Sequence, residues 1–155
     1  MGVDGLDLAI LRCLQQDGRL SNVELAARVR LSPSPCLRRV RHLEQGGVIT
    51  GYHAQINPVA VSRGFQVVVH ADMIVKDRAT IEAFETQIRK LDEVLECSRM
   101  FGFPDYLIRV AVADQDAYQT FYMTKLADLP GVARLNSQIT MATVKAGGGL
   151  PITGP

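Results

Sequence analysis

The chain has 155 residues, 47% of them hydrophobic and 21% charged, and a formal net charge of +1. These are ordinary values for a folded chain of one medium domain or two small ones. No apolar run approaches the roughly 20 residues that span a bilayer. MGVDGLDLAIL has no basic segment leading into an apolar stretch, so no signal peptide is expected and the cytoplasm is the expected location.

Side-chain chemistry narrows the field further. Cys13, Cys36 and Cys97 are far apart and lie among apolar residues, as buried structural thiols do. His42, His53 and His70 are isolated from one another and from the cysteines, so no zinc signature results. There is no glycine-rich phosphate loop and no plausible nucleophile–base set. The sequence therefore does not read as an enzyme, and no metal or cofactor is expected.

Taken in order, the first part predicts three helices and a short hairpin. Leu6, Ile10, Leu11 and Leu14 recur at helical spacing, and Asp17-Gly18 ends that helix. Ser21-Asn22-Val23-Glu24 has the form of a capping box and opens a second helix with Val23, Leu25, Ala26 and Val29 expected inside. Arg30-Leu31 is the turn. Ser32 and Pro33 then open a third helix, with proline at a position where its missing NH costs nothing. Cys36, Leu37, Val40 and Leu43 are expected on its inner face. Arg38, Arg41 and His42 are expected on the outer face, with Arg39 at the edge. Gly46-Gly47 stops the helix. Val48-Ile49 and Tyr52 to Ile56 read as the two strands of a wing around Thr50-Gly51. This first unit is expected over residues 1–57, followed by a connector at 58–64.

The second part, residues 65–145, alternates strand and helix. Strands are predicted at Phe65 to Ile74, Val94 to Phe101, Tyr106 to Val112 and Val132 to Lys145. Helices are predicted at Asp77 to Leu91 and from Asp114 to Leu129. The order βαββαβ is the ferredoxin-like arrangement, so the expected fold class is α+β, a winged helix-turn-helix followed by a ferredoxin-like domain. Val67, Val69, Ile108 and Val110 share one sheet face, to be covered either by the domain's own helices or by a second copy. Residues 146–155 are expected to form a flexible tail.

Five arginines, one histidine and no acid lie between Arg28 and Leu43. A helix that reads the major groove packs one face on a scaffold and offers polar and basic groups from the other. Residues 32–42 fit that description. The expected DNA contacts are Ser21, Asn22, Ser32, Ser34, Pro35, Arg38, Arg39, Arg41 and His42, with the hydroxyls and helix N-terminus on phosphate. The expected partner is double-stranded DNA.

The stretch DGRLSNVELAARVRLSPSPCLRRVRHLEQGGVITGYHAQINP, together with GFPDYLIRVAV, AYQTFYMTKLADLPGV and ITMATVK, resembles the Lrp/AsnC, or feast/famine, family of prokaryotic transcription regulators. The resemblance spans residues 4 to about 145. It implies a helix-turn-helix that binds DNA and a βαββαβ domain that dimerises, assembles further into octamers and binds a small effector, usually an amino acid. Gly102-Phe103-Pro104-Asp105-Tyr106 matches the family's G-x-x-D-Y effector motif; on residues alone it is equally an ordinary turn. The resemblance implies effector contacts at Arg99, Met100, Phe101, Gly102, Pro104, Asp105 and Tyr106, completed by Gln138 and Thr140 where two dimers meet. Arg99, Phe101 and Phe103 depart from what relatives often carry there. A competing reading is an architectural, DNA-compacting protein that needs no effector.

Overall fold

In a computed structural model the described residues are 2–145 and 149–153. They divide into two units. One runs as far as Gln55 and takes in the C-terminal stretch from Lys145; the other is Ile56–Val144. Two of the expected boundaries move accordingly. Val59–Val61 of the expected connector form a 3-10 turn belonging to the second unit. Residues 149–153 of the expected tail lie on the first unit, where Arg12 Nε donates to the Ile152 carbonyl at 3.1 Å. A side chain at Gly149 would come within 2.6 Å of Gln15. The tail positions 146–148, 154 and 155 lie outside the described residues. No described helix is long and apolar enough to cross a membrane.

The first unit is built on three helices: α1 (Gly5–Gln16), α2 (Asn22–Arg28) and α3 (Pro33–Gln45). Local chemistry sets each start. Asp4 caps α1 and shares a reciprocal capping box with Asp7; Ser21 and Glu24 do the same for α2. Ser32 occupies the N-cap position of α3, with Pro33 at the first turn, but its hydroxyl makes no capping bond. Arg30 lies between α2 and α3 at φ 57°, the left-handed conformation that lets the chain turn sharply. Ile10, Leu25, Ala26, Val29, Cys36 and Leu43 form the core.

Three expectations are corrected in this unit. Val23 is 65% exposed and Leu37 37% exposed, because each lies one residue off the buried stripe of its helix. The wing has no strands. The NH groups of Val48 and Ile49 both donate to the Leu43 carbonyl, closing the end of α3. They are therefore unavailable to a ladder, and residues 51–57 have no regular structure.

The second unit contains β1 (Phe65–Met73), α4 (Arg78–Ile88), β2 (Val94–Arg99), β3 (Tyr106–Val112), α5 (Gln115–Phe121) with a π-helical turn at Tyr122–Leu126, and β4 (Val132–Ile139). The sheet order is β2-β3-β1-β4, antiparallel throughout. This is the expected βαββαβ arrangement. Val67, Val69, Ile108 and Val110 pack with Phe84, Ile88, Phe121 and Leu126, so the unit's own helices cover that face. The alternate residues Val68, His70 and Leu107 are half-buried, and Arg109 is exposed. β4 ends at Ile139, earlier than the alternation through Met141 and Thr143 suggests. Thr140 N still bonds the Gln66 carbonyl, but β1 begins at Phe65 and the partner strand runs out.

Candidate nucleic-acid interface and ligand loop

α3 is amphipathic in the required sense. Cys36 and Leu43 are fully buried against α1 and α2. On the other side an open groove of about 470 Å³ is lined by Ser34, Leu37, Arg38, Arg41, His42 and Gln45. No carboxylate lines it, so nothing in the groove opposes an approaching phosphate. Arg38, Arg41 and His42 stand where the sequence places them, and Ser32 is exposed at the helix start, while Pro35 is half-buried.

Other expected DNA contacts have partners within the unit. Arg39 Nη1 lies 2.7 Å from Asp4 and 2.8 Å from Asp7, tying α3 to the N-terminus of α1. Its guanidinium is directed at those carboxylates and away from the groove. The Ser21 hydroxyl donates to Glu24 at 2.7 Å and accepts from Glu24 N. That bonding, with the backbone bond behind it, holds the Glu24 carboxyl below its usual range. Asn22 Nδ2 donates to the Pro33 carbonyl at 2.8 Å, linking the starts of α2 and α3. These three residues build the scaffold of the helix-turn-helix. The Asp4-x-x-Asp7 pattern was the available signal for the Arg39 anchor, since it marks a capping box with an acidic cluster at a helix start.

The loop between β2 and β3 is similarly braced. Gly102 has φ +102°, a conformation that suits glycine. Met100 N donates to the Asp105 carbonyl at 2.8 Å. The Asp105 carboxylate accepts from Met73 N at 2.9 Å and from Lys76 Nζ at 2.6 Å. Lys76 and then the Met73 NH hold this carboxyl below the ordinary aspartate range. Tyr106 is 2% exposed, packs its ring against Phe84 with centroids 4.4 Å apart and planes tilted by 38°, and donates its hydroxyl to Glu85 at 3.0 Å. Tyr106 therefore supports the loop from below, buried within its own unit. Arg99 meets an acid of its own chain, Glu85, at 3.4 Å. Phe101, Phe103 and Met100 project outward, Phe101 at 110% exposure and Phe103 at 78%.

Gln138 and Thr140 do not join these residues within one chain. Gln138 pairs with Val68 and Thr140 with Gln66, whereas Asp105 binds Met73. The two groups are five and seven residues apart along β1, roughly 15–25 Å at the rise of a strand. Lys76 and Glu85 were not foreseen. Each meets the loop from an element distant in sequence, and nothing local marks them.

Comparison with known proteins agrees with this division of labour. The profile described as "Winged helix-turn-helix DNA-binding" matches residues 3–50, and that described as "Lrp/AsnC ligand binding domain" matches residues 66–150. The molecule is thus a DNA-binding regulator with a separate ligand-binding domain. It belongs to the Lrp/AsnC family. It is 42% identical to the leucine-responsive regulatory protein of Escherichia coli K12 over 143 residues, covering 92% of this chain and 87% of the relative. A transcriptional regulator of Neisseria meningitidis, solved as an L-methionine complex, superposes with a TM-score of 0.92 at 37% identity, over 97% of each chain. A feast or famine regulatory protein of Mycobacterium tuberculosis, also complexed with L-methionine, has a TM-score of 0.84 at 31% identity, over 94% of this chain and 96% of the other.

Proposed function

We propose that this chain is a sequence-specific transcriptional regulator whose DNA affinity or assembly responds to an amino acid. The groove on α3 carries this reading: basic groups line it, no carboxylate does, and the scaffold behind it is fixed by the Asp4–Arg39–Asp7 and Asn22–Pro33 contacts. Ser32, Ser34 and the helix start would position phosphates, while Arg38, Arg41 and His42 would reach base edges. The function is binding, not catalysis, and the site of action is the cytoplasm.

The effector site is the 99–106 loop. Met100, Phe101 and Phe103 offer an apolar wall, and the backbone around Gly102 and Pro104 offers donors and acceptors for a zwitterion. Relatives named for leucine or solved with L-methionine support an aliphatic or thioether side chain in the effector. Gln138 and Thr140 lie too far away to serve the loop of their own chain, which supports a site shared between copies in a homodimer or octamer. The half-buried sheet face around Val68 and Leu107 supports self-association as well.

The experiment is a footprint on the protein's own upstream region and on selected DNA, with and without the common L-amino acids. Protection that one amino acid alters is the expected result. No protected sequence at low salt would remove the DNA reading, and protection indifferent to every amino acid would remove the effector reading.

A further inference from the structure

The loop from Met100 to Asp105 leaves the sheet between Arg99 and Tyr106, which face each other across β2 and β3 as a register pair. One carboxylate reaches both. Glu85 Oε1, on α4, accepts the Tyr106 hydroxyl at 3.0 Å and lies 3.4 Å from Arg99 Nη1. Its second oxygen lies 3.3 Å from Arg89 Nη2. The two stems of the loop are therefore joined to each other through a residue of neither strand. The Glu85 side chain is 23% exposed and Tyr106 is buried, so the Tyr106 bond is sheltered from competing water, while the Arg99 side chain reaches Glu85 from the exposed side. The Tyr106 hydroxyl is pushed up to about 12 by burial and then by Glu85.

Elsewhere the loop is held where Asp105 meets Met73 and Lys76 and where the Arg134 guanidinium lies over the Phe103 ring, 6.0 Å from its centroid. Among the described residues Phe101 is fully exposed. A loop that must offer backbone groups and aromatic walls to a small ligand loses affinity for every conformation it samples besides the binding one. Fixing both stems is the direct way to limit that sampling.

We propose that Glu85 is a positioning residue for the effector loop, clamping Arg99 and Tyr106 from α4 so that residues 100–105 are held ready for ligand. The proposal rests on the reading of 99–106 as the effector loop. Glu85 does not touch the ligand; it acts through the two stems.

The test uses the full chain and Glu85→Gln, which keeps an acceptor for the Tyr106 hydroxyl but removes the charge that draws Arg99. Hydrogen exchange is followed by amide, the common L-amino acids are screened by thermal shift, and the best hit is titrated by calorimetry. In E85Q the amides of 100–105 should exchange about tenfold faster and the amino acid should bind about tenfold more weakly, with DNA affinity in its absence unchanged. Wild-type exchange and wild-type amino-acid affinity in E85Q would overturn the role of Glu85. Faster exchange spread evenly over β1 to β4 would also overturn it, by making Glu85 a general support of the unit. Wild-type protein that binds no amino acid would remove the effector reading itself, and the proposal with it. If E85Q does not fold, Tyr106→Phe decides: loosened 100–105 amides with weaker amino-acid binding support the clamp, and unchanged values overturn it.

Discussion

Asp7 on α1 lies 2.8 Å from Arg39 on α3, and the same guanidinium nitrogen lies 2.7 Å from Asp4. Among the described residues Asp7 is the charged side chain that is buried. Its other oxygen accepts the Asp4 NH of the α1 capping box. One carboxylate thus both starts α1 and holds α3 against it. Arg39→Ala should destabilise the first unit by about 1–3 kcal/mol, because it leaves a buried carboxylate without its cation. Thermal unfolding of the full chain measures this. The salt slope of DNA binding should stay the same, since the Arg39 guanidinium is committed to Asp4 and Asp7.

Arg38→Ala and Arg41→Ala should behave in the opposite way. Both side chains line the open groove, so unfolding should be unaffected. DNA affinity should fall by about 1–3 kcal/mol where the residue reads a base, or the salt slope by about 1 where it contacts phosphate. Binding titrations at several salt concentrations separate the two. Unchanged affinity and slope for both variants would place DNA recognition elsewhere.

The Asp105 anchor carries a pH signature. Its folded-state pKa is depressed below the ordinary value of 3.8, first by Lys76 and then by the Met73 NH. A depressed carboxylate contributes stability that is complete above the unfolded pKa and is lost as pH falls through the folded one. The second unit should therefore lose stability below about pH 4. Asp105→Asn should already lack that contribution at neutral pH and show a flatter dependence in acid. Unfolding midpoints of the two proteins from neutral pH into acid give the comparison.

Arg30 makes the turn at φ 57°. The left-handed conformation costs a non-glycine residue about 1–2 kcal/mol. Arg30→Gly should recover part of this, raising stability by up to about 1 kcal/mol in denaturant titrations. It should also remove one positive charge from beside the recognition helix. A lower denaturation midpoint would show that the Arg30 side chain contributes more than its backbone costs.

Where signals are local, the sequence is a good guide. The Ser21–Glu24 box forms as its spacing suggests, because both partners lie within one turn. The βαββαβ order follows from alternation and helical spacing, and β3 spans Tyr106–Val112 as read. Distant partners decide the rest. The Met141 and Thr143 alternation suggests more strand than β1 can pair. Val48 and Ile49 are suited to a strand, but the Leu43 carbonyl takes both NH groups. In the candidate site, residue type was visible and allegiance was not: Arg39 belongs to α1, Tyr106 and Arg99 to Glu85, and Asp105 to Met73 and Lys76. Each of those partners is at least 14 residues away in sequence, counting Arg99 − Glu85 = 14.

The first unit also draws on a stretch far along the chain, through the bond from Arg12 to the Ile152 carbonyl. On the ribosome its three helices can collapse early, but the unit cannot be completed until synthesis has passed Ile152. The whole ligand-binding unit is made in between, so by the time the DNA-reading unit acquires its last contacts the part that senses the metabolite has already had the chance to fold.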